Sequence, residues 1–511
     1  MTLLKEETLA KKLIGKGSLI YIFSFLIAPT GYVIRVLASN TLSVEEIGIF
    51  YSILGLITIL AAYNDLGLTE ALQYFLPKYW IKKQYNHYKT IWIATFAMQL
   101  LTGIIIGWLL WFWADWLAMH YFQSILATDM LKLFALYFVL INFLHAFASV
   151  YKAFQDVLYE KIVETLRMYI ALIATIVFWL AGTLSVTHMG YAWMIGLSAA
   201  LVVSTGLFLF KYGKTLTLGQ WAWDTRLFKK QLGYAFWVFL GMNAWILLGQ
   251  VDQQMIVVIL GAESAGYYTN YLSLFNLYGI FIFPFVGLMF PIVTELITKQ
   301  HYEKVRMLLA ILYKYFAVFA LLIGGVLVAL WPIVAGVLYG DQFIYSGELI
   351  RYAWAFVVLN ILLAINFAVM AGMGRVRERV IILGWALGAN ILGNIIFMLG
   401  LGRWLPGAIM ATVLGWAIML VLTTRLVRRE YAFRMDWWFV GRNMVVIVLL
   451  SIWLWYSVQW FDWSMDVVWI VRIWHLILLV GVYACVLLGI NYKSIVYLWR
   501  EIQNFSALKQ S

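Results

Sequence analysis

The side chains able to do chemistry in this chain are few, and most interrupt apolar runs. Arg35 and Asp252 each break a hydrophobic segment, and Lys132, His145, Asn142, Asn360 and Arg351 add polar groups within or at the ends of two others. An ionised group at the centre of a membrane helix costs about 2.5 to 3.5 kcal/mol on insertion scales, so each needs a partner or a watery space. Arg35 and Asp252 lie at similar depth and are expected to form a gate, making and breaking an ion pair as one mouth of a cavity opens. The long Arg side chain could instead reach the outer interface. Lys132 and Arg351 stand at matching outer positions, either as a ring of positive charge for an anionic ligand or as interface anchors among Tyr137, Tyr352 and Trp354. Asn142 and Asn360 read as interhelical hydrogen-bonding positions or as cavity lining. His145 reads as a proton relay or as a hydrogen-bonded packing residue. Asp65 and Glu70 read as a solvated helix end.

Ordinary hydrolytic chemistry finds no place. The sequence has no GxxxxGK phosphate loop, no HExxH, no Cys or His cluster at metal spacing, and no paired carboxylates on an external loop. No cofactor, no metal and no enzymatic role is expected.

The elements that must carry these residues follow from composition. A chain of 511 residues that is 64% hydrophobic and 12% charged, with mean hydropathy +0.89, cannot bury its apolar surface in a water-soluble core; soluble domains carry about 25% charged residues. An all-α integral membrane protein is expected. Apolar stretches of about 20 residues recur at 17–40, 44–65, 90–114, 129–151, 165–183, 189–210, 232–260, 264–292, 306–331, 347–371, 380–400, 405–426, 441–461 and 470–490, which makes about fourteen transmembrane helices. The first follows Lys5, Lys11, Lys12 and Lys16 but is too long for a signal-peptide core, so it reads as a retained helix. The single Cys485 cannot form an internal disulfide.

The net charge of +12 is topological. All but five of the 36 Lys and Arg are assigned to the segment before the first helix, the segment after the last, or every second connection with the span ends beside it; the five are Arg35, Lys132, Arg351, Arg403 and Arg472. The alternate connections carry acidic residues, among them Glu45, Glu46, Asp115, Glu263 and Asp341. This asymmetry places both termini in the cytoplasm of a cell membrane, and the basic loops face anionic lipid headgroups rather than nucleic acid.

The chain also repeats itself. Glu45 and Gly48 align with Glu263 and Gly266, and Val139-Leu140-Ile141-Asn142 with Val357-Val358-Leu359-Asn360, at one common offset. The offset spans six helices, so the copies share an orientation and form two six-helix lobes around a central cavity, a parallel-repeat plan used by transporters. The expected organisation is an N-lobe at 1–211, a cytoplasmic interlobe linker at 212–231 that lies in the interface, a C-lobe at 232–430, and two further helices with a tail at 431–511. Pro29, Pro284 and Pro291 are expected to bend their helices.

These residues resemble a known family. Arg35-Val36-Leu37-Ala38, Glu45-Glu46-Ile47-Gly48-Ile49-Phe50, Asp65-Leu66-Gly67-Leu68-Thr69-Glu70-Ala71-Leu72 and Leu76-Pro77-Lys78, with the Asp252 to Tyr268 stretch, look like the polysaccharide-transporter (Wzx-type) flippases of the multidrug/oligosaccharidyl-lipid/polysaccharide exporter superfamily. The resemblance implies alternating access and a cargo of polyprenyl-diphosphate-linked oligosaccharide moved from the inner to the outer leaflet. It also implies a coupling ion, H+ or Na+, and a functional link to polysaccharide polymerase machinery. A diphosphate wants fixed cations, which Arg35, Lys132 and Arg351 offer. Two rivals differ in what they need. A drug or cation exporter of the same superfamily wants carboxylates in the cavity, and a membrane glycosyltransferase or polymerase wants large external loops bearing catalytic acids.

Overall fold

The structure is a computed structural model, and the described residues are 22–23, 25–218, 223–279, 292–402, 404–460, 469–494 and 496. Among them every regular element is helical. The first unit, residues 1–269, contains α1 (Phe25–Ser39), α2 (Val44–Asp65), α3 (Leu68–Ile81), α4 (Tyr85–Phe112), α5 (Ala114–His120), α6 (Ala127–Ala153), α7 (Val157–Leu180), α8 (Val186–Thr217), α9 (Thr225–Leu260) and the start of α10 (Ala262–Asn276). The second unit, residues 270–511, contains α11 (Tyr302–Tyr339), α12 (Trp354–Gly372), α13 (Val376–Asn394), α14 (Pro406–Tyr431), α15 (Trp437–Trp460) and α16 (Trp469–Ile490).

Ten helices among the described residues are long and apolar enough to cross a membrane. They become eleven when the pair Asp341–Tyr352 and Phe356–Gly372, bent by 57°, is taken as one span. Two shorter apolar helices, Phe25–Ser39 and Ile477–Ile490, fall where the first and last spans are expected. Much of the expected span 264–292, with Pro284 and Pro291, lies outside the described residues, as do the lysines before the first helix and Arg403.

Local signals set the helix ends. Ser43 caps α2: its hydroxyl accepts from the Glu46 backbone N–H at 3.2 Å while Glu46 Oε2 accepts from the Ser43 backbone N–H at 2.9 Å, which satisfies two otherwise orphaned donors. Asp224 does the same for α9, accepting from the N–H groups of Arg226 and Leu227 at 2.9 and 3.0 Å. At the other end of α2 the chain turns through Leu66 and Gly67 in left-handed conformations, φ 48° and 73°. Gly67 is required twice over, because a Cβ there would lie 2.3 Å from the Ala235 carbonyl oxygen.

Two elements differ from the hydropathy reading. Residues 66–89 are not a loop: α3 is an amphipathic helix whose residues 68, 71, 72, 75, 76 and 79 are buried against Tyr88, Ile91, Phe147, Val150, Tyr151, Phe208 and Tyr212. The helical spacing of its apolar residues was present in the sequence, but the helix is too short and too polar to register as a span. The fifth span begins at Val157 rather than near 165, because helical hydrogen bonding continues through the polar turn that hydropathy treats as a connection. Glu160, Glu164 and Arg167 thereby share one helical face. Likewise α8 runs to Thr217 and α9 starts at Thr225, so helix occupies much of the expected 212–231 linker. Trp223 is exposed there, and Trp221 lies outside the described residues.

Candidate functional site

The first unit encloses a cavity of about 610 Å³. Its walls come from the second half of α2 (Leu54 to Asp65), the first turns of α3 (Thr69, Glu70, Gln73), Gln99 of α4, one face of α6 (Tyr137, Asn142, His145, Ser149, Lys152), Glu160, Glu164 and Arg167 of α7, Trp193 and Ser204 of α8, and Phe239, Asn243 and Ile246 of α9. The cavity thus reaches from the middle of the spans to the ends that meet the basic connections.

Charged groups line it in two clusters. On one side Asp65 Oδ1 accepts from Gln99 Nε2 at 2.6 Å and from the Thr69 backbone N–H at 3.2 Å, while Asp65 Oδ2 and Glu70 Oε2 each lie 3.0 Å from the Thr69 hydroxyl. On the other, Arg167 donates to the Tyr137 hydroxyl at 3.3 Å and has no carboxylate within 4.0 Å among the described residues. Lys152 pairs with Glu160 at 3.1 Å, and Glu164 is taken by Lys161 at 2.8 Å. Gln99 Oε1 and Asn243 Oδ1 are buried in the cavity wall with no hydrogen-bond partner. Buried amide oxygens of this kind are normally paired or hydrated.

Away from the basic connections the same unit is closed. Gln253 Nε2 donates to Ser52 Oγ at 2.7 Å, Gln254 Nε2 to the Ser52 carbonyl at 3.0 Å, Tyr121 OH to Gln254 Oε1 at 2.8 Å, and Gln123 Nε2 to the Val258 carbonyl at 2.7 Å. The repeat mates Gly48 and Gly266 meet directly: a Cβ on Gly48 would lie 1.8 Å from the Ala262 carbonyl oxygen, and one on Gly266 2.0 Å from that of Val44. The polar face of α9 is therefore spent on closure against α2. Small residues permit that backbone approach.

The sequence candidates divide between these regions. Asn142 and His145 line the cavity; Asn142 is buried and donates to the Phe138 carbonyl at 2.6 Å, and the His145 side chain is exposed to the space. Asp252 is 4% exposed and accepts from Tyr268 OH at 3.1 Å. Arg35 donates to the Thr269 carbonyl at 3.2 Å, with its guanidinium 3.6 Å over the Tyr51 ring. Both are thus tied to consecutive residues of α10. Lys132 pairs with Asp115 at 3.1 Å. In the second unit Arg351 pairs with Glu348 at 3.7 Å, and Asn360 is half-buried on α12.

Sequence reading missed Arg167, counted among loop cations, and it missed that Asp65 and Glu70 face a shared space. The spacing Glu160, Glu164, Arg167, at i, i+4 and i+7, was the available signal.

The profile of the family described as "Polysaccharide biosynthesis protein" matches residues 14–297. An uncharacterized membrane protein of Methanocaldococcus jannaschii is 20% identical over 447 residues, covering 84% of this chain and 85% of that protein. Among solved structures, the lipid II flippase MurJ in an inward closed conformation superposes with TM-score 0.68 at 15% identity, covering 93% of this chain and 99% of that one. An inward-facing multidrug resistance MATE family transporter of the MOP superfamily gives 0.67 at 14% identity, with 79% and 94% covered. The chain belongs to the polysaccharide biosynthesis protein family, and its fold is the all-α membrane fold shared by those two transporters.

Proposed function

We propose that the protein is a flippase that carries a polyprenyl-diphosphate-linked oligosaccharide from the inner to the outer leaflet of the cell membrane by alternating access. The observation that carries the reading is the polar-lined cavity of the first unit, in which the Arg167 guanidinium, with no carboxylate within 4.0 Å among the described residues, is available to a diphosphate. Arg167 with Tyr137, and Lys152 at the entrance, would hold the anionic headgroup. Asn142, His145 and Asn243 would offer hydrogen bonds to sugars. A guanidinium suits this task because its planar fork matches phosphate oxygens. Family membership and the likeness of fold to the lipid II flippase MurJ support the same class of cargo.

With the basic connections cytoplasmic, the cavity faces the leaflet in which such a lipid would be loaded, and the α2–α9–α10 contacts form the closed outer gate. Arg35 and Asp252 act within that gate through Thr269 and Tyr268. Lys132 and Arg351, held by Asp115 and Glu348, serve an anionic cargo at the outer end after the gate opens. The 1–211 and 232–430 lobes are the two bodies that exchange access in this scheme.

A second reading has its own support. Asp65, Glu70, Glu160 and Glu164 all line the cavity, and carboxylates are what an exporter of organic cations would require. Mass spectrometry of lipid co-purified with the protein, followed by flipping of that lipid in proteoliposomes, separates the two. A polyprenyl-diphosphate glycan retained by the wild type and lost from Arg167→Ala is the expected result. Consistent absence of such lipid, with efflux of organic cations, would replace the first reading by the second.

A further inference from the structure

The second unit carries a groove of about 340 Å³, walled in part by Gly325 and Val328 of α11, Trp354 of α12, and Met444, Val448 and Trp455 of α15. Close approaches fix the level of each wall. A Cβ on Gly324 would lie 3.1 Å from the Trp354 carbonyl oxygen, and one on Gly347 2.4 Å from the Trp331 carbonyl oxygen, so the chain from Gly347 to Trp354 runs antiparallel to α11. A Cβ on Gly325 would lie 2.3 Å from Ser451 Oγ, and Lys314 meets Asp436, so α15 runs parallel to it.

Arg351 stands three residues before Trp354 and Trp455 four after Ser451. Both therefore belong to one end of the groove, and Met444, seven residues before Ser451, marks the other. With the basic connections cytoplasmic, the Arg351 end is the outer one, and Glu348 lies about one turn further out.

The groove changes in character along this line. Its floor is apolar, because the Ser451 hydroxyl is spent on the Ile447 carbonyl at 2.7 Å and lies 3.0 Å from Tyr483 OH. From Met444 to Trp455 the α15 wall rises about 17 Å, close to one leaflet of a hydrocarbon core about 30 Å thick. A single hydrocarbon chain matches that length. At the outer end Arg351 and Glu348 are half-exposed and 3.7 Å apart, too far for a hydrogen bond. Each charge keeps donors or acceptors for a ligand.

Lipid tails are as apolar as the groove, so burying a chain there gives little preference by itself. Selection falls to the headgroup. The Arg351–Glu348 pair carries no net charge, and its order, cation nearer the groove and carboxylate further out, complements a phosphate followed by an ammonium. A diphosphate would set its negative charges against Glu348 and offer it no cation.

We propose that the groove is a resident-lipid site that holds one chain of an outer-leaflet aminophospholipid, with the phosphate on Arg351 and the ammonium on Glu348. A lipid so seated bridges α12 and α15. The inference is independent of the flippase reading, in which Arg351 meets cargo only after the outer gate opens.

The test is native mass spectrometry of the purified, delipidated full-length protein titrated with phosphatidylethanolamine or phosphatidylglycerol. A phosphatidylethanolamine with a photoreactive chain maps the contact. Val448→Trp, which fills the groove, is compared with Val445→Trp, at an exposed position of the same helix outside the groove. Elution profile and apparent Tm report folding. Phosphatidylethanolamine should bind at about one per chain, crosslink to the Met444–Trp455 segment, and weaken at least about tenfold in Val448→Trp and Arg351→Gln but not in Val445→Trp. It should bind about three- to fivefold more tightly than phosphatidylglycerol, and Glu348→Gln should remove that preference. No stoichiometric binding by folded wild type, or equal weakening in the two tryptophan variants, overturns the proposal. Displacement of the bound phospholipid by a polyprenyl diphosphate would make the groove part of the cargo path and overturn it as well. The flippase reading is judged separately, by the lipid retained in wild type and Arg167→Ala.

Discussion

Gly48→Ala is the most direct probe of how the first unit is closed. The added Cβ would lie 1.8 Å from the Ala262 carbonyl oxygen and 2.7 Å from the Gly266 nitrogen, about 1.6 Å short of ordinary contact. Both obstructing atoms are backbone, so no rotamer change relieves the clash and α2 must move off α10. Overpacking of this kind costs about 1 to 3 kcal/mol. One helical turn on, Ser52 holds Gln253 and Gln254 through bonds of 2.7 and 3.0 Å, and losing each adds about 0.5 to 1.5 kcal/mol. The summed loss is about 2 to 6 kcal/mol. The assay is apparent Tm in detergent, compared at one heating rate because unfolding of such proteins is commonly irreversible. Gly206→Ala on α8 is the control: nothing lies within 4 Å of its Cβ position, and Ala is the better helix former by about 1 kcal/mol. Gly48→Ala should fall well below wild type and Gly206→Ala should match or exceed it. Equal Tm values for the two variants would refute the closed backbone-on-backbone contact.

Arg167→Ala should weaken retention of a diphosphate lipid by roughly ten- to a hundredfold, the equivalent of about 1.5 to 3 kcal/mol for hydrogen bonds to a charged group; unchanged lipid-to-protein ratio in mass spectrometry would remove Arg167 from the site. Arg35→Ala loses a cation–π contact worth about 0.5 to 2 kcal/mol and the bond to Thr269. It should lower flipping in proteoliposomes, and normal transport would end its role as a gate. In the second unit, the hydrogen bond from Lys314 at 2.8 Å, followed by that from the Phe439 backbone N–H, holds the Asp436 carboxyl below its usual range. A carboxyl depressed in the folded state stabilises fully above its unfolded value and loses that contribution as pH falls through its folded value. Apparent Tm should therefore drop on acidification from about pH 5 to about pH 3 more steeply in wild type than in Asp436→Asn; parallel curves would count against the interaction.

Composition and charge determined much by themselves. A chain this apolar must satisfy its backbone hydrogen bonds within helices if it is to sit in lipid, so span positions could be read from hydropathy, and the α2 range Val44–Asp65 coincides with that reading. The motifs around Arg35 and Asp65 were also enough to indicate the family, because they are local strings. The sequence held the correspondence of Gly48 with Gly266 as a numerical offset. Only the tertiary structure made it a contact, since nothing in a one-dimensional repeat says that two copies touch.

The cavity was illegible for a related reason. Hydropathy averages over a window, so the polar first turns of α7 and the short α3 looked like connections; Glu70 was read as part of a solvated helix end and Arg167 as a cation of the basic connections. Their common destination depends on helix phase and on the packing of α2, α3, α4, α6 and α7 around one space. Side chains far apart in the chain meet there because helices place every third or fourth residue on one face, and which faces meet is settled by packing. The sequence determined that a few charges had to be housed inside a membrane fold; tertiary structure decided that Asp65 and Arg167 would share a room.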